Sequence, residues 1–147
     1  MQSNPDTILP SARIPLCVPE IRGNEWKYIK HCLDTGWVSS VGSYVTQFEE
    51  KLSRYVGAKH AIAAVNGTSA LHIALLCAGV RPEDEVLVST LTFIAPVNAI
   101  RYVGAWPVFM DADRKYWQMD PEAVRDFLAK ECRVRKGQVF NRTTKRR

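Results

Sequence analysis

Ala61-Ile62-Ala63-Ala64-Val65-Asn66-Gly67-Thr68-Ser69-Ala70-Leu71 joins an apolar run, a glycine turn and the start of a helix. Residues 61–65 have the pattern of a buried parallel strand. Leu71 to Ala78 is helix-forming and almost wholly apolar, and Gly79 stops it. Between them, Gly67 permits a sharp turn, and Thr68 and Ser69 bring hydroxyls and amides to the start of the helix. The first amides of a helix have no partner inside it, and the helix dipole favours an anion there. Two readings stand: a cup for a phosphate, or a capped helix start with no ligand.

Working outward, the same alternation repeats downstream. Pro82-Glu83-Asp84 makes a turn, Glu85–Ser89 a strand and Thr90-Leu91-Thr92-Phe93 a strand end. A helix from Ala95 to Val103 tolerates Pro96 in its first turn and stops at Gly104. Trp106–Met110 is a further strand, ending in Asp111-Ala112-Asp113. A last helix starts with Asp120 as cap and Pro121 at its first position, and is expected to bury Val124, Phe127 and Leu128. Upstream, Asn24 is the expected cap of a helix with Trp26, Ile29 and Leu33 as core contacts, ended by Gly36. Ser43 is the expected cap of a second helix carrying Tyr44, Phe48, Leu52 and Tyr55, closed by Gly57. Between these two helices lies a glycine-bounded loop with Trp37, Ser39, Ser40 and Gly42, a kind of loop that often carries function. The order β-α-β-α-β-α with short links predicts an α/β fold, a predominantly parallel sheet flanked by helices. In such sheets ligands sit beyond the carboxyl ends of the strands. Those ends are residues 66–69, 90–93 and 111–113.

Composition narrows the classes. With 147 residues and 46% hydrophobic side chains the chain can build a real core. No stretch reaches the roughly 20 apolar residues of a membrane span, and residues 1–10 lack the pattern of a signal peptide. A cytoplasmic location is therefore expected. Four widely spaced cysteines, Cys17, Cys32, Cys77 and Cys132, form no metal-ligand pattern with His31, His60 and His72, and are expected to be reduced and mostly buried. The net charge of +5 comes from the C-terminal residues: Arg133, Arg135, Lys136, Arg142, Lys145, Arg146 and Arg147 stand among no acids. Such a tail could bind nucleic acid, but it holds one aromatic, Phe140, and no nucleic-acid motif; a solvated loop is the simpler expectation.

The strand ends lack both G-x-G-x-x-G and the Walker pattern, so neither a dinucleotide nor a nucleoside triphosphate is indicated. One glycine followed by Thr-Ser suits a single phosphate monoester. Phe93, at the next strand end, could cover a flat heterocycle or could be an ordinary core residue. A phosphate beside a flat ring points to a cofactor such as pyridoxal phosphate.

The run from Ile14 to Asp120 resembles the N-terminal part of the DegT/StrS family of sugar aminotransferases. The matching residues are Ile14-Pro15-Leu16 with Pro19, Gly36-Trp37, Gly42 and Phe48-Glu49. They continue with Asn66-Gly67-Thr68-Ser69-Ala70-Leu71, Asp84-Glu85-Val86, Thr92-Phe93, Asn98-Ala99-Ile100 and Pro107-Val108-Phe109-Met110-Asp111. Glu83 departs from the family, which usually has glycine there.

The resemblance implies part of the large domain of the fold-type I pyridoxal-phosphate-dependent aminotransferases, usually homodimers. On it, residues 1–13 are a flexible lead, 14–132 the N-terminal part of that domain, and 133–147 a basic loop at a truncation. It implies that Gly67, Thr68 and Ser69 hold the cofactor phosphate and that Phe93 stacks on the pyridine ring. It places the loop bearing Trp37, Ser39, Ser40 and Gly42 near an active site, either its own or a partner subunit's. Asp111 and Asp113 are then solvated or capping carboxylates, not the acid that pairs with the ring nitrogen. The implied reaction moves an amino group, typically from glutamate, to a nucleotide-linked keto sugar, as in making amino sugars for surface polysaccharides. The lysine that holds the cofactor covalently is expected beyond Arg147, so the 147-residue chain is expected not to transaminate alone. The alternative is a non-catalytic module of the same fold that keeps the phosphate site.

Overall fold

A computed structural model describes Pro15 and residues 17–147. The expected lead, 1–13, lies outside the described residues, as do Ile14 and Leu16. The chain divides into two compact units, one ending at Phe48 and the other starting at Glu49. In the first unit, helix α1 (Glu25–Thr35) ends on Gly36, whose φ of 72° is a left-handed cap suited to glycine. Asn24 precedes α1 without a side-chain capping bond; the Glu25 carboxylate instead accepts from the Gly23 amide at 2.8 Å. Helix α2 (Ser43–Val56) begins on the Gly42 carbonyl, which accepts from Val45 and Thr46 N–H. Tyr44 meets Tyr28 and His31 edge-on at 5.1 and 5.5 Å, and these rings pack α1 to the start of α2. Trp26, Ile29 and Leu33 do not form the expected core: each is more than half exposed. The helical spacing aligned them on a face, but no element among the described residues of the unit buries it.

The second unit holds α3 (Gly67–Cys77), β1 (Glu85–Ser89), α4 (Ile94–Tyr102), β2 (Trp106–Met110), α5 (Pro121–Glu131), β3 (Cys132–Arg135) and β4 (Gln138–Asn141). Strands β1 and β2 pair in parallel from Glu85↔Trp106 to Ser89↔Met110, with α4 as the crossover. The core is small: Val88, Ile100, Val103 and Ala105, with Leu75, Val80, Val86 and Val97 against it. Thus α4 covers the face of β1 that carries Val86 and Val88, and α3 reaches the same core through Leu75. His72 and Tyr102 also meet edge-on at 5.7 Å between α3 and α4.

Two expectations need correction here. Residues 61–65 form no strand; Ile62 and Val65 are each 88% exposed. Apolar β-branched side chains favour a sheet only where a neighbouring strand supplies hydrogen bonds, and none pairs with this segment among the described residues. The basic segment after α5 is not a solvated loop. β3 and β4 make an antiparallel hairpin closed by Lys136-Gly137, whose φ values of 51° and 74° fit a two-residue primed turn. The last helix has its expected cap, with Asp120 accepting from Glu122 N–H, but Val124 and Phe127 are only half-buried and Leu128 is exposed.

Candidate functional site

The site is built on the start of α3. Asn66 takes an extended conformation, and its side-chain oxygen accepts from Ser69 N–H at 2.8 Å. Asn66 is thus the helix N-cap, and Ser69's amide is already engaged. The amides of Gly67 and Thr68 donate to no group among the described residues. Gly67 is exposed, while Thr68 and Ser69 are half-buried. Gly67 does not have the left-handed φ that would require glycine, and a Cβ there would meet nothing within 4 Å. Glycine at this place therefore leaves room beside two free amides rather than easing a strained turn. An anion the size of a phosphate fits that arrangement: two donors, the positive end of a helix, and no side chain in the way.

Phe93 stands at the N-cap of α4, is 78% exposed, and makes no capping bond. That exposure removes the reading of Phe93 as a core residue and leaves a free aromatic face. The two elements carrying these groups, α3 and α4, pack on one another within the same unit.

The carboxyl ends of β1 and β2 open into a cleft of about 620 Å³, lined by Thr90, Leu91, Asp111, Ala112, Arg114 and Trp117. The Thr90 hydroxyl donates to Asp111 at 3.5 Å, and the Ala112 amide donates to the same carboxylate oxygen at 2.8 Å. Asp113 accepts from the amides of Lys115 and Tyr116, which makes it a turn-capping carboxylate. Next to this edge, the buried Ser89 hydroxyl has no hydrogen-bond partner among the described residues. Arg114, Trp117 and Ser89 were not among the candidate residues read from the sequence. For Arg114 and Trp117 the signal was the run Arg114-Lys115-Tyr116-Trp117, cations and aromatics side by side shortly after a strand end; Ser89 had none.

In the first unit, Trp37, Ser39 and Gly42 line a small cavity of about 80 Å³ with His31, Cys32 and Thr35; Ser40 lies outside that lining. Trp37 is 58% exposed, so the loop presents an indole without burying it.

The C-terminal residues are held by side chains rather than solvated. The Arg147 guanidinium forks onto Asp84, donating at 2.8 Å to one oxygen and pairing with the other, and also donates to the Gly79 carbonyl at 2.7 Å. Arg146 pairs with Glu83 at 3.2 Å and lies against the Trp106 ring, as Arg101 does. Thr144 and Asn141 donate to Glu85 at 2.6 and 2.9 Å. Burial alone would raise the Asp84 carboxyl, but Arg147 and the Arg81 amide outweigh it and hold it below its ordinary range. Of the four cysteines only Cys132 is buried, contrary to the expectation of mostly buried thiols; burial, then Glu85 and Glu131, push its thiol up.

A parallel strand pair with helix starts and a cleft at its carboxyl edge defines an α/β architecture with a ligand-sized opening where such sheets place their ligands. The chain belongs to the DegT/DnrJ/EryC1/StrS aminotransferase family, whose model matches residues 19–134. It is 48% identical over 121 residues to a GDP-perosamine synthase of Escherichia coli O157:H7, covering 82% of this chain and 33% of that protein. Among solved structures it is similar to an aminotransferase from Psychrobacter cryohalolentis, with a TM-score of 0.68 and 33% identity, over 73% of this chain and 27% of that one. NtdA of Bacillus subtilis with bound cofactor PMP gives a TM-score of 0.64 and 33% identity, over 69% and 23% of the two chains. The chain thus spans about a third of the length of the curated relatives it matches. Aminotransferases of this family use pyridoxal phosphate, and the parallel strands with their helices are part of the fold-type I domain. No helix among the described residues is long and apolar enough to cross a membrane.

Proposed function

We propose that this chain is part of an aminotransferase that moves an amino group from an amino-acid donor to a nucleotide-linked keto sugar. The cofactor, pyridoxal phosphate, supplies an aldehyde to carry the amino group and a ring that withdraws electrons. The chain's own residues grip and orient it. Gly67 and Thr68 donate their amides to the phosphate, Asn66 fixes the helix start by holding Ser69 N–H, and the Thr68 and Ser69 hydroxyls flank the anion. Phe93 covers one face of the ring. The observation that carries this reading is the pair of undonated amides at the start of α3, with open space where a Gly67 side chain would stand.

The sugar-nucleotide substrate rests on the 48% identity to a GDP-perosamine synthase. Glutamate as donor, a homodimer in the complete enzyme, a role in surface polysaccharide synthesis and a cytoplasmic location belong to the same proposal. So does an active-site role for Trp37, Ser39, Ser40 and Gly42. Catalysis also needs a lysine to hold the cofactor and an acid at the ring nitrogen, and the proposal assigns neither to residues 1–147. The division 14–132 as a large-domain segment follows from the same reading. The docking of Arg146 and Arg147 on Glu83 and Asp84 disfavours a nucleic-acid-binding tail, since these cations already have carboxylate partners.

Titrating pyridoxal phosphate into the isotopically labelled chain, with backbone amides observed by NMR, tests the assignment. The largest shifts are expected at Gly67 and Thr68. Shifts centred elsewhere overturn it. Borohydride treatment is expected to trap no adduct at one particular lysine, and stoichiometric trapping would refute the absence of a cofactor lysine.

A further inference from the structure

We propose that the cleft at the carboxyl ends of β1 and β2 is a subsite for the nucleoside diphosphate part of the substrate, with Trp117 under the base and Arg114 on the diphosphate. The ligand's identity as a sugar nucleotide rests on the aminotransferase reading; the chemistry of the cleft does not.

Three observations converge. The cleft, about 620 Å³, is within the range that holds a small organic ligand, and it lies where parallel sheets place ligands. Trp117 lines it with a backbone φ of 58°, a left-handed conformation that a bulky residue rarely adopts, and the residue is 65% exposed. Hydrogen bonds pin the turn in that conformation: Trp117 N–H donates to Asp113 O at 2.9 Å, and Asp113 N–H to Gln118 O at 2.8 Å. A constrained backbone that presents an indole to a cleft, instead of burying it, provides a stacking platform for a flat ring. Arg114 lines the same cleft and has no carboxylate partner among the described residues, so its guanidinium is available to a phosphate.

Asp111 limits where each part can lie. One oxygen of its carboxylate is occupied by Thr90 and the Ala112 amide. The negative charge repels a phosphate and favours N–H or hydroxyl donors. The diphosphate therefore goes to Arg114, and the hydroxyl- or amine-bearing part of the nucleoside faces Asp111. Lys115 is taken up differently, lying 4.9 Å from the Tyr116 ring centre.

Calorimetric titration of the chain with guanosine diphosphate, and separately with inorganic pyrophosphate, tests this. Trp117→Ala and Arg114→Gln are each expected to weaken guanosine diphosphate about tenfold or more. Trp117→Phe, which keeps an aromatic face, is expected to retain binding. Pyrophosphate binding is expected to fall in Arg114→Gln alone. Absence of guanosine diphosphate binding, or a wild-type constant in either truncating variant, overturns the subsite. Circular dichroism of each variant separates loss of the site from loss of the fold. Pyridoxal phosphate binding, measured in parallel, separates the two proposals. If it persists while guanosine diphosphate fails to bind, only the subsite falls. If guanosine diphosphate binds and the cofactor does not, the aminotransferase reading falls and the cleft stands.

Discussion

Asp84 shows how one side chain can tie distant parts of the sequence together. It is 9% exposed, accepts the Arg81 amide at 2.7 Å and forks with Arg147. Because its folded pKa lies below the ordinary value of 3.8, the ion pair stabilises fully at neutral pH. That stabilisation drains away as pH falls through the lowered folded value. Acid titration of unfolding should show a loss below about pH 4 that is absent in Asp84→Asn. At neutral pH, Asp84→Asn should cost about 1–3 kcal/mol in urea unfolding, since it weakens charge-assisted hydrogen bonds in a largely buried place. An unchanged midpoint would show that Arg147 is not held there. Phe93→Ala should leave stability within about 0.5 kcal/mol, because the ring is exposed, yet weaken cofactor retention. Equal retention in the variant would remove Phe93 from the site.

At the scale of elements, Ile100 is the strongest test of packing. It is 3% exposed at the centre of the α4–β1 core, so Ile100→Ala should destabilise by about 2–4 kcal/mol in denaturant unfolding. A change well under 1 kcal/mol would mean that this core does not hold the unit together. The elements legible in the sequence were those closed by local signals. Gly36 and Gly57 end their helices in left-handed conformations, Asp120-Pro121 starts α5, and Val86 to Val88 forms a strand between turns. What was not legible depended on partners distant in the chain. Residues 61–65 carry a strand's composition but need a neighbouring strand to become one. The β3–β4 hairpin was hidden by its charge, although Arg133-Val134-Arg135 and Gln138-Val139-Phe140 alternate about Lys136-Gly137. The docking of Arg146 and Arg147 onto residues some sixty positions earlier had no local signature at all.

For the chain as a whole, the capped helix start proposed to hold the phosphate was legible because its parts are contiguous: cap, glycine and two hydroxyl residues in one run. Its finer chemistry was not. The sequence could not show that Asn66 takes up the Ser69 amide, nor that Gly67 lacks a left-handed φ and has open space where a side chain would stand. Several large apolar side chains, among them Ile62, Val65, Phe93 and Ile94, are more than two-thirds exposed in the second unit. The described residues present more apolar surface than the small core covers. The central claim concerns the start of α3, and equilibrium dialysis of the chain against pyridoxal phosphate and against pyridoxal, which lacks the phosphate, tests it most directly. Pyridoxal phosphate should bind the more tightly, by about tenfold or more, and Gly67→Val should abolish that preference. Equal affinity for the two compounds, or an undiminished preference in Gly67→Val, would contradict the account.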